Sequence, residues 1–226
     1  MTDFFREVEE EMRKDRMKRI WRNYGWLFVA LAVFIVVGTA AYRGYLYYHE
    51  TQAAASGDRY LRALTYIDDG RRQEASIILN QLAEDGYAKY PVLARFSVAS
   101  NLLQEGQASE ALAAYDALGG SSDVPSELQD YANLQAAMIA VDLEGFEAVQ
   151  TRVGGLVTGD NPWRELAMEA LALSAWKAGD IEETARWVAE IKSAVGVPEG
   201  TAARARLLEE LIISRGGTIP EPSENS

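Results

Sequence analysis

Between Asn23 and Tyr42 the chain carries no charged side chain, and Trp26, Leu27, Phe28, Val29, Leu31, Val33, Phe34, Ile35, Val36 and Val37 make the centre of that run almost wholly apolar. A helix of about 20 residues spans ~30 Å, the thickness of a bilayer core. A soluble helix of that length shows a polar stripe on its wetted side, and none is present here. Trp21, Tyr24 and Trp26 stand at one end of the run, and Tyr42, Tyr45, Tyr47 and Tyr48 at the other, where interfacial aromatic belts form. The pattern predicts one transmembrane helix over 23–43.

Beyond the tyrosines the apolar positions change to amphipathic helical spacing, and they repeat. Ala63, Ala99, Ala136 and Ala172 are separated by 36, 37 and 36 residues, the kind of period that marks a solenoid. Twelve residues after each stands another small residue: Ala75, Ala111, Ala148 and Thr184. Seven residues after each alanine come Gly70, Gly106, Leu143 and Gly179. Each unit therefore reads helix, glycine turn, helix, with small residues letting the paired helices approach and glycine ending the first helix in a left-handed conformation. In the third unit the glycine is displaced to Gly145 and the match is weaker.

Pro91, Pro125, Pro162 and Pro198 form a second ladder with the same period. Proline is tolerated in a helix's first turn, where its missing N–H has no intrahelical partner, so the ladder predicts successive helix starts. Asp180 followed by Glu183 reads as a capping-box variant. A final helix over 201–214 is expected to cap the stack. The polar tail GGTIPEPSENS is expected to be disordered.

The expected fold class is all-α: one N-terminal transmembrane helix, then an α-solenoid of about four helical hairpins with a C-terminal capping helix. The expected division is a charged N-terminal segment at 1–22, the span at 23–43, the repeat domain at 44–215 and the tail at 216–226.

Charge sets the orientation. Arg6, Arg13, Lys14, Arg16, Lys18, Arg19 and Arg22 precede the span, whereas only Arg43, Arg59 and Arg62 occupy a similar window after it. The positive-inside rule then places the N-terminus in the cytoplasm and the repeats across the membrane. A cleaved signal peptide is the rival reading, because Gly38-Thr39-Ala40 and Thr39-Ala40-Ala41 resemble cleavage sites. The long apolar run and the acidic residues Glu7, Glu9, Glu10, Glu11 and Asp15 ahead of it depart from that pattern. Phe4, Val8 and Met12 give residues 1–22 an amphipathic helical spacing, which suits an interfacial topogenic segment better than a docking helix.

The net charge of −12 is concentrated beyond residue 43, where acidic side chains outnumber basic ones two to one. Such a surface repels phosphate backbones, which argues against nucleic-acid binding. There is no cysteine and one histidine, His49, which reads as a polar residue beside the membrane. No disulfide framework, thiolate metal site or cysteine nucleophile is possible. Phosphate-binding, dinucleotide-binding, zinc-protease and nucleophile-elbow motifs are absent. The pairs Asp68-Asp69, Glu182-Glu183 and Glu209-Glu210 read as solvated charge, because adjacent helical residues diverge by about 100°. No catalytic residue, metal, cofactor or small-molecule substrate is expected, and the chain does not read as an enzyme. Trp163, Trp176 and Trp187 read first as packing between repeats, with Trp163 at a helix start as the candidate partner surface.

The helix hairpins with small residues at their contacts resemble the tetratricopeptide repeat family over about residues 51–195, with Tyr66 and Tyr115 fitting its aromatic positions. The basic N-terminus, single span and small acidic repeat domain together resemble the bacterial ancillary SecYEG translocon subunit family, the YfgM-like proteins. That resemblance implies an inner-membrane protein with a periplasmic repeat domain, partnered by the SecYEG translocon and by periplasmic chaperones or translocating polypeptides. An envelope scaffold for division or cell-wall machinery is the alternative that the same features allow.

Overall fold

The computed structural model describes the backbone of residues 3–220 and the side chains of Trp21 and residues 25–220. The side chains of the charged N-terminal segment and residues 221–226 of the tail lie outside the described residues. Among the described residues the chain forms nine helices and no strand, an all-α architecture with one long apolar helix at its N-terminus. It divides into two compact units, Met1–Ala55 and Ser56–Ser226.

The first unit is built on α1 (Asp3–Asp68). Its stretch from Gly25 is long and apolar enough to cross a membrane. All ten apolar residues of the predicted span, Trp26 to Val37, are exposed, Phe34 to 75%. A contiguous apolar surface of this size is not left in water by a folded protein, because every Å² would cost roughly 25 cal/mol. Lipid removes that cost.

In the second unit the end of α1 pairs with α2 (Arg72–Asp85), α3 (Tyr90–Gln104) with α4 (Ala108–Gly119), α5 (Ser126–Leu143) with α6 (Phe146–Val153), and α7 (Arg164–Ala178) with α8 (Ile181–Ser193). The last helix is α9 (Glu199–Ser214), which begins two residues earlier than the sequence pattern suggests because Pro198 serves as its N-cap. Pro125 is likewise the N-cap of α5, Pro91 sits in the first turn of α3, and Pro162 precedes Trp163, the N-cap of α7. Two apolar cores result. Ala63, Leu79, Leu82 and Ala94 close the first hairpin against α3, and a larger core runs from Val92 to Ile212 through the remaining hairpins.

Three of the four hairpin turns use the same cap. Gly70, Gly106 and Gly179 have φ near +80°. In each case the residue after the glycine donates its N–H five residues back: Arg71 to Tyr66, Gln107 to Leu102, Asp180 to Ala175. This satisfies carbonyls that a helix end leaves open.

The third hairpin differs. Glu144 closes α5 in an extended conformation and Gly145, at φ −93°, is the N-cap of α6. The fourth residue after each N-cap is Ala75, Ala111, Val149 and Thr184, and all four are fully buried. The regular twelve-residue step from the first alanine points to Ala148, which is only half-buried. One extra residue in this hairpin moves the packing position to Val149.

Candidate partner-binding face

The four leading alanines, Ala63, Ala99, Ala136 and Ala172, have no exposed surface. Three residues before each alanine stand Tyr60, Phe96, Asn133 and Glu169, one helical turn away and on a shared register.

Phe96 starts a row of rings. It lies 6.3 Å from Tyr115 of α4 and 5.7 Å from Tyr131 of α5, and Tyr131 lies 5.2 Å from Trp163. The tilted geometries suit rings that attract through their quadrupoles. Tyr115 is buried, whereas Phe96, Tyr131 and Trp163 are half-buried. Leu93 and Leu103, at helical spacing from Phe96, are exposed to 38% and 39%. Tyr60 and Tyr90 form a second ring pair 6.1 Å apart, joined to α3 by a 3.0 Å hydrogen bond between the Tyr60 and Ser97 hydroxyls. A strip of apolar side chains thus crosses α3, α5 and the start of α7, with part of its surface open to solvent.

Local hydrogen bonds hold the end of the strip. The Trp163 N–H donates to Asn161 Oδ1 at 2.9 Å, while Asn161 Nδ2 donates to Asp130 Oδ2 at 2.8 Å. Arg164 Nε donates to the Val157 carbonyl at 3.1 Å. Trp163, the candidate from sequence, packs against the core and is half-buried. Trp187 is buried, with its indole N–H donating to Glu183 at 2.9 Å. Trp176 is half-buried beneath the Arg215 guanidinium.

Two polar clusters brace the stack. Arg152 of α6 donates twice to Asp116 of α4, at 2.7 and 2.8 Å, and once to Glu144 at 2.6 Å. The hydrogen bonds from Arg152 to Asp116, reinforced by Glu144, hold its guanidinium well above the ordinary arginine range. Glu169, 1% exposed, accepts from Thr201 Oγ1 at 2.7 Å and from both Nε and Nη2 of Arg204, so a buried carboxylate latches α9 onto α7. The hydrogen bonding to Glu169 raises Arg204.

The acidic pairs do not converge. Glu183 engages Arg186 and Trp187, and Glu209 engages Lys192 at 2.6 Å. Among the described residues no group of three or more His, Asp and Glu side chains is placed to hold a metal ion.

The fold and its partly open apolar strip define a helical-repeat module of the kind that suits protein binding. Residues 18–158 match the family described as tetratricopeptide repeat-like domain, and the chain belongs to that family. The match begins ahead of the span and ends just after α6, so α7 to α9 extend the repeat beyond it. Neither a curated protein nor a solved structure matches the chain. Domains of this family are typically non-catalytic protein-interaction modules, which suggests an adaptor role.

Sequence reasoning centred on the small residues passes over Phe96, Tyr131 and Glu169. The signal for the first and last is the position three before each alanine, aromatic in two units, Asn133 in the third and charged in the fourth.

Proposed function

We propose that this is a single-pass, membrane-anchored adaptor that holds a partner polypeptide on the strip formed by Leu93, Phe96, Leu103, Tyr131 and Trp163. The observation that carries this reading is that strip, in a helical-repeat family, on the same chain as an exposed apolar span. A helical stack offers an extended surface for a peptide or a partner's helix. Tethering raises the local concentration of anything that emerges beside the anchor, so modest contacts suffice.

The finer reading follows the resemblance to the YfgM-like family: the N-terminus is cytoplasmic, the repeats lie in the periplasm, and the partners are the SecYEG translocon and chaperones or chains in transit. The excess of basic residues before the span supports that orientation.

The test is affinity purification of the tagged full-length protein in mild detergent, quantified by mass spectrometry, beside the Leu93→Asp/Leu103→Asp variant and a control retaining only residues 1–50. Recovery of the translocon and chaperones, with chaperones lost from the variant, is the expected result. Recovery of division or wall-synthesis proteins without the translocon would replace this reading with the envelope scaffold. Partner recovery unchanged by the double variant would remove the strip from the adaptor's working surface.

A further inference from the structure

The terminal helix of a solenoid ordinarily turns a polar face to water, because no further repeat covers it. Helix α9 buries Thr201, Ala205, Leu208 and Ile212 against its neighbours. Its outermost side follows that rule with Glu199, Arg206 and Glu210, but one flank, roughly 120° round the helix from the buried side, carries Gly200, Ala203, Leu207 and Leu211, all exposed, Leu207 to 59% and Leu211 to 44%. The spacing of three, four and four residues makes a continuous apolar stripe. Beside it lie Arg206 and Glu210, both exposed, and neither enters an ion pair among the described residues.

The geometry points to a second copy of this chain as the occupant of the stripe, with two α9 helices packed antiparallel about a twofold axis near Leu208. The register is self-complementary. In an antiparallel pair centred at 208, Leu207 of one copy falls at the level of position 209 of the other, between Leu207 and Leu211, because each residue rises 1.5 Å. Leu211 likewise falls between Ala203 and Leu207. Apolar knobs then alternate along the seam instead of colliding, and Gly200 and Ala203 allow close approach.

The same centre sets Arg206 level with Glu210 of the partner copy, twice over by symmetry. Charges that form no ion pair among the described residues therefore meet opposite charges, the pattern that a closed isologous contact requires. A centre displaced by one residue loses this match. Arg204 and Glu209 take no part, since each is already held within its own chain by Glu169 and Lys192. One helix pair buries less than the ~1,200–2,000 Å² of ordinary stable interfaces, so the dimer is weak in isolation and gains from confinement to a common membrane.

The test uses the full-length protein in detergent micelles, with mass followed by sedimentation across a micromolar concentration series. A monomer–dimer equilibrium is expected. Leu207→Asp should weaken it at least tenfold, the effect of losing one central apolar anchor. Arg206→Glu should weaken it, and Arg206→Glu/Glu210→Arg should restore it. The chain contains no cysteine, so Leu207→Cys alone should form a disulfide-linked dimer, whereas Gln81→Cys, at an exposed position of α2, should not. A monomer at every concentration with no Leu207→Cys cross-link would overturn the proposal. A dimer indifferent to Leu207→Asp, or one that the charge exchange fails to restore, would overturn it as well. Circular dichroism of each variant identifies loss of fold.

Discussion

The second and third hairpins perform the same task with different turns. In the second, Gly106 at φ +78° ends α3, and Ala111 reaches the packing position twelve residues after Ala99. In the third, Glu144 leaves α5 in an extended conformation, and Val149 reaches the packing position thirteen residues after Ala136. Neighbouring repeats are thus constrained to bury a small or branched side chain at one spatial position, while the sequence distance to that position is free to change by one. The turn absorbs the difference.

Enlarging the side chain at both positions of the twelve-residue ladder should separate the two hairpins most strongly. Ala111 has no exposed surface, and a leucine there must displace packed neighbours, so Ala111→Leu is expected to cost about 3 kcal/mol. Ala148 occupies the corresponding ladder position but is half-buried, and its extra methyl groups have a route to solvent. Ala148→Leu is expected to cost less than ~1 kcal/mol. Chemical denaturation of the two variants decides the matter. Equal losses would show that Ala148, not Val149, takes the buried place.

A brace also ties the third hairpin to the second at this turn. Arg152 ties Asp116 of α4 and Glu144 at the turn to α6, and its own side chain is 16% exposed. Arg152→Ala leaves two neighbouring carboxylates without their cation. Both are about a third exposed, so water recovers part of the loss, and the expected cost is about 2 kcal/mol instead of the 3–5 typical of a fully buried pair. If the brace serves the irregular turn, Asp116→Asn/Glu144→Gln should recover part of the Arg152→Ala loss by relieving repulsion. Failure of that recovery in a denaturation cycle would remove the carboxylates from the account.

Much of this architecture is legible in the sequence because close helix contacts demand small side chains at fixed intervals, and helix starts tolerate proline where interiors do not. The apolar run from Trp26 to Val37 is legible because it has no polar stripe. The slipped register is not, because Ala148 and Val149 are adjacent and both apolar, and only the rotation of α6 decides which one faces inward. Nor is the latch between Glu169 and Arg204, which joins residues 35 apart and depends on where α9 docks. Glu169 nevertheless stands out where the same register holds Tyr60 and Phe96. A charge in an aromatic register signals that something polar arrives there, and that something is Thr201 with Arg204. The aromatic row has a fainter trace, since Tyr131 and Trp163 fall outside the regular period, and only the packing of α3, α5 and the start of α7 brings Tyr131 to Phe96 and Trp163 to Tyr131.

The smallest expected effect separates backbone from packing at the two turns. An added Cβ at either Gly106 or Gly145 meets nothing within 4 Å, so crowding plays no part at either position. The backbone does differ: φ is +78° at Gly106 and −93° at Gly145. Gly106→Ala forces a left-handed conformation on a residue with a Cβ, and the expected loss is about 1–2 kcal/mol. At Gly145 an alanine adopts the existing backbone and reduces the freedom of the unfolded chain, which stabilises by a few tenths of a kcal/mol or more. Alanine is also a poorer N-cap than glycine, and this offsets the gain, leaving Gly145→Ala within ~0.5 kcal/mol of the parent. Thermal and chemical denaturation of the two variants should therefore split by roughly 0.5–2.5 kcal/mol, with space equal at both sites. A loss at Gly145 as large as that at Gly106 would mean that the third turn also needs glycine's conformational freedom, and that the two turns are less different than their dihedral angles indicate.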